Sequence, residues 1–131
     1  KLLNRQVPEE WTVRVQSPIY LNVNTEPEPD LVLLKPRDYL KLQHHPGPDD
    51  VLLTVEVADS TVRSDRRYKV PLYARAGIPE VWVVNIPKKV VEVYSDPFEG
   101  KYQSIRRVGR GEVLNLTALP GVAVAIDDIL R

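Results

Sequence analysis

The chain has 131 residues, of which 43% are hydrophobic and 27% charged, and its 18 basic and 18 acidic side chains give a formal net charge of zero. This composition is typical of a folded globular protein and excludes general disorder. The zero net charge excludes a strongly basic nucleic-acid binder, so any positive surface must be local. Because the chain has no cysteine, disulfides, a zinc knuckle and a thiol nucleophile are excluded as well.

Length and apolar runs bear on domain organisation and location. We expect one domain over residues 1–131, because this length suits a single core. No apolar run approaches the roughly 18 residues of a membrane span, and no signal peptide is visible. We therefore expect a cytoplasmic protein with no membrane partner. The opening KLLNRQV is typical of the end of a helix, and the chain has no methionine, so we expect a natural N-terminal segment to precede it.

Apolar and alternating runs predict the strands in chain order. The predicted strands are WTVRVQ (11–16), continued by IYLNV (19–23); the buried runs LVLL (31–34), VLLTVEV (51–57) and EVWVVNI (80–86); a hairpin of KKVVEVYS (88–95) and KYQSIRRV (101–108) around the turn DPFEG; and GVAVAI (121–126). A long polar loop spans residues 35–50.

The helical pattern runs from about Ser64 to Ala76, with Gly77 as its stop signal. Pro71 lies inside it and predicts either a kink or a helix whose first turn starts late. DDIL (127–130) predicts a short terminal helix. Together these elements predict an α/β or α+β fold, a mixed β-sheet flanked by helices.

Glu56 interrupts an otherwise apolar predicted strand. Burying an unpaired carboxylate is costly, so a buried Glu is usually protonated, paired or bound to metal. Alternation places Leu52, Thr54 and Glu56 on one face. If strands 31–34 and 51–57 are antiparallel neighbours, Asp30 lies beside Glu56, and two such acids form a site for Mg²⁺ or Mn²⁺. The alternative is that Asp30 only forms a turn and Glu56 reaches solvent.

The predicted helix carries Asp65, Lys69, Tyr73 and Ala76 on one stripe. Lys69 can therefore face the strand that precedes the helix. The alternative is a solvated Asp65–Lys69 pair of little energetic consequence.

The string PEPDLVLL…VLLTVEVADST…SD…YKVPLYARAGIPEVWVVN resembles the Uma2 family of the PD-(D/E)XK restriction-endonuclease-like superfamily, over roughly residues 11–128. The resemblance is most specific from Glu56 to Asn85. It implies a restriction-endonuclease-like core with an additional antiparallel hairpin. The superfamily shows an acid followed by acid-x-lysine, but Ala58 stands where that lysine is expected. The resemblance implies that Lys69, on the helix, takes its role.

The resemblance also implies a site. Asp30 and Glu56, with the main-chain carbonyl of Val57, are the implied ligands of Mg²⁺ or Mn²⁺, and Lys69 supports the attacking water or the phosphorus. A lysine beside two carboxylates stays charged, which favours electrostatic support over general-base work. Supporting roles are expected for three further residues. Asp65 orients Lys69 or binds metal through water, and Ser60 caps the helix or touches phosphate. Tyr73 packs in the core or stacks on a base.

The implied function is a magnesium-dependent endonuclease acting on DNA, with a homodimer as one way to cut both strands. The alternatives are a non-catalytic interaction module that keeps the nuclease fold, and a domain acting on a small phosphate ester. Two basic clusters bear on the choice, because each is either a phosphate-binding surface or a solvated surface. One comprises Arg63, Arg66, Arg67, Lys69 and Arg75, and the other comprises Arg106, Arg107 and Arg110. Adjacent His44 and His45 point in different directions on any regular element and do not predict a metal site.

Overall fold

The computed structural model describes residues 11–22, 24–42, 44–59, 66–117, 119 and 121–130. Its strands are β1 (Thr12–Val15), β2 (Leu31–Leu34), β3 (Val51–Ala58), β4 (Glu80–Asn85), β5 (Val90–Phe98), β6 (Lys101–Gly109), β7 (Val113–Asn115) and β8 (Ala123–Ala125). Its α-helices are α1 (Val70–Ala76) and α2 (Ile126–Leu130), and short 3-10 helices cover Tyr39–Lys41, Pro48–Asp50 and Arg66–Lys69. No helix in these ranges combines the length and apolarity needed to cross a membrane.

The first six strands form one mixed sheet in the order β1-β2-β3-β4-β5-β6. β3 and β4 are parallel, and α1 lies in the crossover between them, as a parallel pair requires. The other neighbours in this sheet pair antiparallel, and β7 and β8 form a separate two-stranded sheet. The predicted mixed sheet with helices and an additional hairpin is confirmed.

The six-stranded sheet carries an apolar cluster on each face. The cluster that includes α1 comprises Ile19, Val32, Leu34, Val51, Ala58, Val70, Tyr73, Ala74, Ile78, Val81, Val83 and Tyr102. The cluster that includes β7, β8 and α2 comprises Leu33, Leu52, Leu53, Val55, Trp82, Val84, Val91, Val93, Val108, Leu114, Leu116, Val122, Val124 and Ile126. Because both faces of β3 and β4 are covered, these strands are nearly continuous apolar runs.

The helix after β3 starts late, as one reading of Pro71 predicted. Arg66–Lys69 is a 3-10 turn, and α1 begins at Val70 with Pro71 in its first turn, where a missing N–H leaves no intrahelical bond unmade. Gly77 ends the helix in the left-handed region with φ of 78°. Residues 60–65, including the predicted helix start, lie outside the described ranges.

The β5–β6 hairpin is confirmed, with a tighter turn than DPFEG. The strands extend to Phe98 and Lys101, which are paired. Glu99 and Gly100 both have positive φ, 51° and 79°, which is the requirement of the two-residue turn that matches the twist of paired strands.

Other predictions about the elements were wrong. Residues 19–22 do not continue β1, since they form only an isolated bridge between Asn22 and Thr25. Leu52 does not share a face with Thr54, because the β2–β3 register shifts and sets Leu34 opposite Val51, which moves Leu52 to the other core. The last predicted strand is shorter than 121–126, and β7 was not predicted at all.

Candidate functional site

Antiparallel pairing of β2 and β3 brings the two predicted acids together. Leu31 pairs with Val55, so Asp30, just before β2, lies opposite Glu56. The Val57 N–H donates to Asp30 Oδ2 at 2.7 Å, which fixes the Asp30 carboxylate across the sheet end. Asp30 is therefore more than a turn former after a proline.

Glu56 has no solvent exposure, so the alternative that it reaches water is wrong. Lys69 Nζ lies 3.3 Å from Glu56 Oε1, and the Tyr73 hydroxyl donates to Oε2 at 2.6 Å. Both oxygens of the buried carboxylate are thus hydrogen-bonded, which offsets much of the cost of burial.

The segment around α1 supplies both partners of Glu56. Lys69 ends the 3-10 turn and Tyr73 lies four residues later in α1, so both project toward the same face of the helix. Lys69 is 5% exposed, and its ammonium also donates to the Glu28 carbonyl at 2.9 Å. The predicted stripe through Lys69 and Tyr73 does face β3, while Asp65 lies outside the described residues.

Burial dominates the electrostatics of the site. It raises the pKa of Glu56, against the Tyr73 hydrogen bond and the Lys69 charge, which lower it, and Asp30 adds to the rise. Burial and the negative charge of Glu56 also raise the pKa of Tyr73 far above its usual value. Tyr73 therefore keeps its proton and remains a hydrogen-bond donor to Glu56.

The donor set fits a hard divalent cation. Asp30 and Glu56 are neighbouring carboxylates, and oxygen donors are what Mg²⁺ and Mn²⁺ prefer. Across the described ranges, no three or more His, Cys, Asp or Glu side chains are grouped so as to hold a metal. An ion at this position would retain several waters, as Mg²⁺ commonly does with one or two carboxylates.

The three predicted supporting residues have different outcomes. Ser60 lies outside the described ranges, like Asp65. Tyr73 packs in the core beside α1 and contacts Glu56 directly, rather than presenting a ring for stacking. Ala58 is buried on the α1 side of the sheet, and the Lys69 ammonium approaches Glu56 on that same side from the turn before α1.

The sequence interpretation missed a second buried carboxylate, Glu92 in β5, which is 4% exposed. It is bonded to Arg67 at 3.2 Å and to the Tyr94 hydroxyl at 2.9 Å, as Glu56 is to a lysine and a tyrosine. Val83 pairs with both Glu56 and Glu92, which places the two acids in one row across the sheet. The signal was a single acid in the apolar run VVEVY, which was predicted only as part of one strand of a hairpin.

The remaining candidate residues are the adjacent histidines and the two basic clusters. His44 Nδ1 contacts the His45 carbonyl at 2.6 Å, and His45 Nε2 lies 3.9 Å from Glu26. In the two basic clusters, Arg67 and Lys69 are paired with acids and Arg110 lies 3.8 Å from Asp127. Three other arginines of these clusters are exposed: Arg75, Arg106 and Arg107.

Two comparisons with known proteins bear on the family and on the fold of this chain. The sequence profile of the Uma2 family, described as "Putative restriction endonuclease", matches residues 1–127. The chain belongs to the Uma2 family. This Uma2 chain is also similar in structure to a protein of Anabaena variabilis, a crystal structure described as "a putative nuclease belonging to DUF820". The two share a TM-score of 0.71 at 12% identity, over 98% of this chain and 74% of that one, so the likeness shows the fold. No curated protein matches the sequence.

Proposed function

We propose that this Uma2 protein is a metal-dependent endonuclease that hydrolyses phosphodiester bonds of DNA. The convergence of Asp30, Glu56 and Lys69 carries the proposal. They come from the start of β2, from β3 and from the turn before α1, and they meet at one end of the sheet. Two acids and a lysine at one end of the sheet supply what phosphodiester hydrolysis needs: a cation site, and a positive group for the developing charge.

In this proposal Asp30, Glu56 and the main-chain carbonyl of Val57 hold Mg²⁺ or Mn²⁺. The bound ion would neutralise phosphate charge and lower the pKa of a coordinated water. The Val57 N–H orients the Asp30 carboxylate, and the Tyr73 hydroxyl holds Glu56 Oε2 in place. These two hydrogen bonds preset both acids before any ion arrives.

Lys69 supplies the positive charge toward the phosphate. Its ammonium has three N–H donors; within the described residues, one bonds Glu56 and one the Glu28 carbonyl. The third can donate to a phosphate oxygen or to the attacking water. A positive group at this position stabilises developing negative charge, and that is the role we propose for Lys69.

The test is nicking of a supercoiled plasmid in Mg²⁺. We expect Glu56→Gln and Lys69→Ala each to lower the rate roughly 100-fold or more, as loss of a preorganised charge does. Glu80→Gln is the matched control. Glu80 is 1% exposed but accepts hydrogen bonds from Trp82 and the Thr117 N–H, on the opposite face of the sheet. Equal nicking by wild type and Lys69→Ala would remove Lys69 from the mechanism.

One observation favours a second candidate, a non-catalytic module of the same fold. Glu56 is completely enclosed and both of its oxygens already accept hydrogen bonds. Calorimetric titration with Mg²⁺ and Mn²⁺ separates the two functions. The nuclease predicts heat that is lost in Glu56→Gln, whereas the module predicts no heat in either protein.

Further properties belong to the same proposal. We propose DNA as the substrate, a homodimer, a cytoplasmic location and a single domain over residues 1–131. The exposed Arg75, Arg106 and Arg107 offer local positive charge to a phosphate backbone despite the neutral total.

A further inference from the structure

A cavity of about 550 Å³ lies near the proposed active site. Four aromatic side chains line it, Tyr20, Tyr39, His44 and His45, together with the Arg14 guanidinium and the Glu26 carboxylate. We call this cavity the aromatic pocket.

Internal contacts preset the walls of the aromatic pocket. The Tyr20 N–H donates to the Pro46 carbonyl at 2.8 Å, which joins the segment before β2 to the loop before β3. The Tyr20 and His44 rings lie 5.5 Å apart and tilted by 39°. The Tyr39 hydroxyl donates to the Lys35 carbonyl, and the Arg14 guanidinium lies 5.2 Å from the Tyr39 ring centre. Such rings are preorganised surfaces for stacking.

The aromatic pocket is close to the acids. Arg14 pairs with Val32, a residue of the α1-side core, and Asp30 lies two residues before Val32. Strand spacings of about 3.4 Å per residue and 4.8 Å between strands put the Arg14 and Asp30 backbones roughly 8 Å apart. Glu26 lines both the aromatic pocket and a neighbouring groove that reaches Lys69. The two sites are therefore connected along the surface.

We propose that the aromatic pocket binds an unpaired nucleobase next to the scissile phosphate, so that the substrate is single-stranded or frayed DNA. This inference rests on the proposed function and adds the substrate class. Tyrosine, histidine and arginine planes stack on any base, without regard to its sequence. A base inside a duplex is already stacked on its neighbours and must leave the helix to enter a concave pocket.

The experiment compares two labelled strands. One is a single-stranded oligothymidylate of eight nucleotides, and the other is an abasic strand with the same number of phosphates. Fluorescence anisotropy in EDTA measures binding while cleavage is prevented. We expect wild type to bind the base-containing strand at least roughly five-fold more tightly, the lower end of what one stacked base contributes.

Variants assign this preference to the aromatic pocket. Tyr20→Leu and His44→Ala should lose most of it while binding the abasic strand as wild type does, and Tyr20→Phe should keep it. Phe98→Ala is the control, because Phe98 is an exposed aromatic (62%) at the far end of β5. A 2-aminopurine base in the strand gives a second readout, since its emission is quenched by stacking in wild type and not in His44→Ala.

Two results would overturn the inference in different ways. If wild type binds the two strands with equal affinity and still nicks plasmid, the proposed role of the aromatic pocket is contradicted and the proposed nuclease function is not. If wild type binds neither strand and does not nick plasmid, the proposed nuclease function is contradicted as well.

Discussion

At the scale of single residues, the central feature of this protein is the buried carboxylate of Glu56. A carboxylate with no solvent exposure requires compensation, and here a lysine from one segment and a tyrosine from the next turn supply it. The same contacts that make burial tolerable also hold the carboxylate in place at the sheet end where Asp30 lies. Stability and the proposed chemistry therefore depend on the same few atoms.

The first prediction concerns the Glu56–Lys69 pair. Lys69→Met should lower the free energy of unfolding by about 3–5 kcal/mol, since it leaves a buried carboxylate without its cation. Adding Glu56→Gln should restore much of the loss, because the uncompensated charge is then gone. Urea unfolding at pH 7 measures both. Lys41→Met, whose side chain is 85% exposed, should change stability by less than about 0.5 kcal/mol. A Lys69→Met protein as stable as wild type would rule out the buried pair.

The second prediction separates stability from site geometry at Tyr73. Tyr73→Phe should cost about 1–3 kcal/mol, the penalty for an unpaired buried acceptor, and should raise the Mg²⁺ concentration needed for half-maximal nicking. Tyr102→Phe removes another buried hydroxyl, which donates to the Ile78 main-chain carbonyl at 2.7 Å and not to a carboxylate of the site. It should cost a similar amount of stability and leave the Mg²⁺ dependence unchanged. The same Mg²⁺ dependence in both variants would contradict a positioning role for Tyr73.

At the scale of elements, α1 holds the site although it is only seven residues long. A helix this short is not stable alone in water, so it depends on burial of Val70, Tyr73 and Ala74 against the sheet. Its end is set by Gly77, whose φ of 78° lies in the left-handed region. The position of Lys69 and Tyr73 over Glu56 thus depends on packing more than on helix propensity.

The third prediction follows from that helix end. Gly77→Ala should cost about 1 kcal/mol, because a side chain is strained at positive φ even though no atom lies within 4 Å of the added Cβ. Gly47→Ala is the matched control, with φ of −95° and the nearest atom at 3.8 Å, and it should be nearly neutral. Thermal unfolding of the three proteins gives the comparison. Equal melting temperatures would show that the left-handed cap contributes nothing.

At the scale of the whole molecule, buried hydroxyls tie the sheet to its surroundings. Tyr73 and Tyr102 lie in the α1-side core, while Tyr94 bonds Glu92, which Arg67 also contacts. Burial raises the pKa of Tyr39 and of Tyr94 from 10.0 to about 12, and raises the pKa of Tyr73 and of Tyr102 as well. Burial in this fold therefore favours the neutral form of these four tyrosines.

The fourth prediction is a loss of stability in alkali. Between pH 10.0 and about 12, these tyrosines keep their protons in the folded protein and lose them in the unfolded chain. The unfolded state then binds fewer protons, so the free energy of unfolding falls as pH rises through this window and is fully retained below it. Urea unfolding between pH 8 and about 11.5 measures the slope. Tyr94→Phe should make it shallower, whereas Tyr68→Phe, at a ring that is 69% exposed, should not. A stability independent of pH across this range would contradict the prediction.

Local pattern was enough for much of the fold. Apolar runs predicted β2, β3 and β4, alternation predicted the β5–β6 hairpin, and Gly77 predicted the end of α1, because burial and backbone sterics act on a few consecutive residues. It failed at Leu52 and at residues 19–22. There the outcome depended on a register shift between strands and on packing of Ile19 into the core, neither of which is encoded locally.

For the site, the sequence by itself determined the residue types: an acid after a proline, an acid inside an apolar run, and a lysine four residues before a tyrosine. Only the tertiary structure decided that Asp30 lies opposite Glu56, and that Lys69 and Tyr73 each bond one of its oxygens. It also decided that Glu92 is buried, although its local pattern is that of a half-exposed strand. The reason is physical: alternation assigns a side chain to a face of the sheet, but whether that face is covered depends on where a helix from elsewhere in the chain packs.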